Sequence, residues 1–125
     1  MTRVLIVRHL VSSFACLFLT SATVLRADEV IRWNNLLLDS VRAELTPPPM
    51  ASRKMAMTHI AVYDAVNSIV QDHEPYLFFT PAPVDLPQHA AIAQAAHDTL
   101  SALFPWFNYD AELDATLDLI PDSNY

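Results

Sequence analysis

The sequence predicts an all-α protein: a partial bundle of about four helices that follows a signal peptide. Three observations carry this. Apolar residues recur at three- and four-residue spacing in four separate segments. The nine prolines lie between those segments or at their ends. No glycine occurs among the 125 residues, which disfavours the tight turns of hairpin-rich β structure.

The amino terminus has the layout of a secretory leader. Arg3 and Arg8 precede an uninterrupted run of apolar or small residues from Leu10 to Leu25, and small residues follow. Cleavage is expected after Ala22 or Ala27, and the abrupt change to charged "DEV" favours Ala27. The apolar run is 16 residues long, short of the ~20 that cross a bilayer, so export with cleavage is expected rather than stable membrane insertion. Phe14 just before Cys16 argues against a lipid-modified cysteine. The expected organisation is thus a signal peptide over 1–27 and a helical portion over 28–125, with a secreted or periplasmic location.

Within 28–125 four basic residues stand against fourteen acidic ones, a net charge of −10. Such a surface repels phosphate backbones and anionic lipid heads, so no nucleic acid partner is expected. The only cysteine, Cys16, leaves with the leader, and neither a disulfide nor a thiolate metal site can form. Without glycine, phosphate-cradling loops, dinucleotide turns and serine-nucleophile elbows are excluded.

The first helix is expected over about Glu29 to Leu45, with Val30, Trp33, Leu37, Val41 and Leu45 on one stripe. Pro47 to Pro49 end it. A second helix is expected from about Met50 to Val70, with Met55, Thr58 or His59, Val62, Val66 and Ile69 inward. Ala51, Ala56, Ala61 and Ala65 leave it little polar surface, which suits the centre of a bundle. Gln71 to Pro87 reads as an extended segment docked by Tyr76, Leu77, Phe78 and Phe79. Asp85 and Gln88 have capping-box spacing and open a third helix to about Phe104, with Ile92, Ala96, Leu100 and Leu103 inward. Asn108 is a candidate cap for a fourth helix over about Tyr109 to Ile120, with Leu113, Leu117 and Ile120 on one side.

Two stretches form a recognisable pattern: "RKMAMTHIAVYDAVN" (Arg53 to Asn67) and "AIAQAAHDTLSALFP" (Ala91 to Pro105), with Trp33 and Asn34 before them. Together they resemble the amino-terminal helices of bacterial secreted proteins of the vanadium-dependent haloperoxidase family, relatives of the type 2 phosphatidic acid phosphatase superfamily. The resemblance spans about Val30 to Asp122. It implies a helical scaffold whose parent activity is peroxide-dependent halide oxidation or phosphate-ester hydrolysis. In that family vanadate or phosphate is held by a motif with Lys and Arg, a Ser-Gly-His motif, and a final Arg and His. None is present: Arg53 and Lys54 stand in a different motif, and Ser-Gly-His needs a glycine. No catalytic, cofactor-binding or metal-binding residue is therefore assigned, and vanadate is expected only in a full-length homologue. The implied partner is a carboxy-terminal catalytic portion; the alternative is an exported helical module that associates with itself.

The remaining polar residues yield no ready site. His59 and Tyr63 share a helix face, but Asp64 points about 140° from His59 by helical geometry, so His59 and Asp64 are expected as paired, buried clamps between helices. His97 and Asp98 are adjacent and expected to diverge. His59, His73, His89 and His97 contain no i, i+4 pair, and Asp85, four before His89, is better read as a cap. Ser40, Ser52, Ser68 and Ser101 lack a neighbouring base. Tyr76, Phe78, Phe79, Phe104, Trp106 and Phe107 are expected in the core or an interface.

Overall fold

The computed structural model describes residues 25–120. The leader expected over 1–27 lies outside the described residues except for Leu25 to Ala27. The chain is all-α: among the described residues there are four helices and no strand, in the order α1 (Leu25–Ala43), α2 (Pro48–Val70), α3 (Gln88–Leu103) and α4 (Asp110–Leu117). None of these is long and apolar enough to cross a membrane.

Each boundary has a local cause. At the end of α1 the amide of Thr46 donates to the Val41 carbonyl (3.0 Å) and that of Leu45 to Arg42 (3.1 Å), with Leu45 at φ 55°. This is a Schellman closure with leucine in the left-handed position usually given to glycine. Leu45 is accordingly 86 % exposed, which corrects its expected place on the core stripe: the helix ends two residues before it. Pro48 and Pro49 do more than stop α1, because they form the first turn of α2, where a missing N–H costs nothing and the fixed φ is already helical. Gln71, at φ 58°, closes α2 in the same left-handed conformation.

The expected Asp85–Gln88 capping box does not form. Pro87 occupies the N-cap, so Gln88 is the first helical residue rather than the third, and no side chain caps α3. Asn108 does act at the start of α4, one residue earlier than an N-cap: its Oδ1 accepts the amide of Asp110 (2.7 Å). Phe104 ends α3 and is fully buried.

The central helix is α3, not α2. It packs on α1, on α2 most extensively, and on α4. Ala93 and Ala96 are wholly buried beside Ile92 and Leu100, and these small side chains let three helices approach one axis. Around them lie Trp33 and Leu37 from α1, Val62 from α2, and Phe104 and Tyr109. Among the described residues, no helix packs on the opposite face of α2. Only Phe104 of the six grouped aromatics enters the core; Tyr76, Phe78, Phe79, Trp106 and Phe107 are exposed.

Candidate functional site

The polar residues of the second helix converge on the segment that follows it. Asp64 is 5 % exposed. Its Oδ1 accepts the amide of Tyr76 (2.8 Å), and its Oδ2 accepts those of Leu77 and Phe78 (2.9 Å each). Burial by itself pushes this carboxyl upward, but the amides of Phe78, Tyr76 and Leu77 outweigh it and hold Asp64 below the ordinary carboxylate range. One turn later Asn67 works as a surrogate strand: its Nδ2 donates to the His73 carbonyl (2.7 Å) and its Oδ1 accepts the His73 amide (3.1 Å). Tyr63 donates its hydroxyl to the Glu74 carbonyl (2.9 Å). Tyr63, Asp64 and Asn67 thus grip the backbone of residues 73–78.

This grip replaces the expected docking by apolar side chains. Tyr76, Leu77 and Phe78 are 71 %, 83 % and 68 % exposed, because the carboxylate holds their amides and turns their side chains outward. Asp64 fulfils the expectation of a buried, partnered group, although it clamps a loop and not a second helix. His59 is exposed, which corrects its expected burial; its Nε2 lies 3.2 Å from Asn34 Oδ1 and links α2 to α1 at the surface.

Between α2, α3 and the held segment runs a groove of about 680 Å³. Its floor is Met57, Ile60, Ala61 and Ala65 of α2 with Ala95 and Thr99 of α3, and Leu77 and Phe78 form one wall. Asp64 and Asp98 also line it, and among the described residues no basic side chain does.

A second polar cluster joins α3 to α4. His97 Nδ1 lies 3.0 Å from Asp98 Oδ1, and Nε2 lies 2.9 Å from Asp110 Oδ1. The side chains of His97 and Asp98, expected to diverge, meet. Each ring nitrogen faces a carboxylate oxygen, which accepts and does not donate when ionised, so the arrangement calls for both ring protons. Hydrogen bonds to Asp98 and then Asp110 raise the imidazole above its ordinary value, and His97 in turn holds Asp110 below the usual carboxylate range. Trp33 meets the His97 ring edge-on. The two nitrogens point to opposite sides, so the cluster does not converge on a metal; among the described residues no group of three or more His, Cys, Asp or Glu does.

Helix α4 is secured to α1 by a network that the sequence pattern did not disclose. Arg32 donates through Nε (2.8 Å) and Nη2 to Glu112 Oε2. The Thr116 hydroxyl, fully buried, donates to Glu29 Oε1 (2.7 Å), which also accepts the Trp33 indole N–H (2.7 Å). The inward residue of α4 is therefore Thr116; Leu117 is 38 % exposed, and Leu113 packs on the core as expected. Ser40 pairs with the Tyr109 hydroxyl at 2.7 Å, and burial pushes that phenol upward. Apart from Trp33 and Glu29, one helical turn from each other, these contacts link residues about 70 to 90 apart, beyond the reach of any local spacing rule. Among the described residues every buried side-chain polar atom has a hydrogen-bond partner.

Compared with known families, characterised proteins and solved structures, the chain matches none.

Proposed function

We propose that this chain is an exported scaffold, the amino-terminal helical portion of a haloperoxidase-like or acid-phosphatase-like protein, without catalytic activity of its own. One observation supports the reading most: the polar side chains in "YDAVN" are spent on the backbone of 73–78, while the outer face of the same helix is left apolar and open. Acid–base catalysis needs a group free to exchange a proton with substrate. Asp64 is occupied by three amides, and Tyr63 by a carbonyl.

The test has two arms. Assayed alone, with vanadate supplied, the chain is expected to show neither bromide oxidation by peroxide nor hydrolysis of an aryl phosphate; either activity, lost on heat denaturation, overturns the scaffold reading. Sequencing of the locus beyond the Tyr125 codon is expected to reveal a Ser-Gly-His motif flanked by basic motifs. A locus without them favours the second reading, a self-associating helical module, which the open apolar groove also supports.

A further inference from the structure

The floor of the groove is built like one side of a helix–helix contact. Met57, Ile60, Ala61, Asp64, Ala65 and Ser68 recur every three or four residues along α2. From Met57 to Ser68 they cover about three turns, or about 16 Å at 1.5 Å per residue. Ala61 and Ala65, with Ala95 across the groove, allow a helix backbone to come close, and Met57 offers an adaptable apolar contact. Asp64 and Ser68 are no obstacle: the Asp64 oxygens are engaged by amides, and the Ser68 hydroxyl is turned onto the Asp64 carbonyl (2.8 Å).

Charge then distinguishes among occupants. Asp98 stands at the rim, its side chain 64 % exposed. Both His97 and Gln94 address its Oδ1, and among the described residues no donor addresses Oδ2. Among the described residues no basic side chain lines the groove to repel a cation. A second copy fits the apolar floor but meets charge repulsion, because residues 28–125 of each chain carry a net charge of −10.

We propose that the groove between α2, α3 and residues 76–80 seats an amphipathic helix of about three turns from a partner polypeptide, with a lysine or arginine of that helix set against Asp98. The proposal rests on the scaffold reading, since it names what the scaffold holds. Apolar contact with Met57, Ala61 and Ala65 supplies the attraction. The cation at Asp98 fixes register and excludes helices that carry an acid there.

Two conformationally stapled three-turn helical peptides test this, identical in their apolar face and differing only in a rim lysine or glutamate. Titrated into the isotopically labelled chain, the lysine peptide is expected to shift the resonances of Ala61, Ala65 and Ala95. It is expected to bind about tenfold tighter than the glutamate peptide, a difference of about 1.4 kcal/mol. Asp98→Asn should bring the two peptides to equal affinity. Ala61→Trp, which fills the groove, should abolish both; if it fails to fold, Met57→Glu at the partly exposed end of the floor serves instead. Equal binding of both peptides by the unaltered chain, or no shift at the three alanines up to about 1 mM, overturns the proposal. So does a concentration-dependent dimer dissolved by Ala61→Trp, which would assign the groove to a second copy. Failure of the scaffold reading is seen separately, as enzymatic activity of the isolated chain, and leaves the peptide result standing.

Discussion

His97 holds two carboxylates, and only its protonated form can donate to both. Its folded pKa lies above the ordinary 6.5, so the stability it contributes is fully present below that value and is lost as pH rises through the raised one. Asp110 has a depressed pKa, and its share is present above 3.8 and lost as pH falls through the lower folded value. The window of greatest contribution therefore runs from about pH 4 to 6.5. Urea midpoints are expected to fall between about pH 6 and 8, and His97→Gln should flatten that slope. A slope unchanged in His97→Gln would place the titrating group elsewhere. In contrast, His59 lies at the surface, where its side-chain contact, at 3.2 Å, is to Asn34. The sequence contains both histidines in Ala-rich helices. What distinguishes them is Asp110, thirteen residues away across a turn, and no local spacing announces that partner.

At the scale of elements, a chain without glycine must still end its helices. Leu45 and Gln71 both take the left-handed conformation, which costs a residue with a Cβ roughly 1–2 kcal/mol. Leu45 is nearly bare to solvent and has little packing to lose. Leu45→Gly is therefore expected to stabilise the chain by about 0.5–1 kcal/mol, after the added freedom of glycine in the unfolded state is subtracted. Thermal unfolding followed by circular dichroism should show a rise of a few degrees, and Leu45→Ala, which keeps the Cβ, should not. A loss of stability in Leu45→Gly would mean that the leucine side chain contributes more than its exposure indicates. Helix existence and order were legible because periodicity and proline are local signals. The terminal residues were less so: Pro48 and Pro49 read as a stop although they also begin the next helix, and Asp85 had the spacing of a cap while Pro87 held the position. The candidate site was legible in part. "YDAVN" stood out, but its grip on 73–78 depends on a loop path that spacing does not determine.

On the scale of the molecule, α3 carries the fold while α2 turns part of its apolar surface, Met57 and Tyr63 included, outward. The inference from sequence that α2 is central failed because a helix apolar all round looks the same whether its second face meets this chain or a partner. The two faces make separable demands on stability. Leu100 is fully buried where α3 meets the shared core, and Leu100→Ala should cost roughly 2–5 kcal/mol. That is a large share of the ~5–15 kcal/mol typical of a whole domain. Met57, 43 % exposed in the groove, should tolerate Met57→Ser within about 0.5 kcal/mol. Urea unfolding resolves the contrast, with emission from buried Trp33 reporting the core and that from Trp106, 84 % exposed, varying little. Comparable losses for the two substitutions would mean that the groove face is already part of the folded core, leaving no surface for a partner helix.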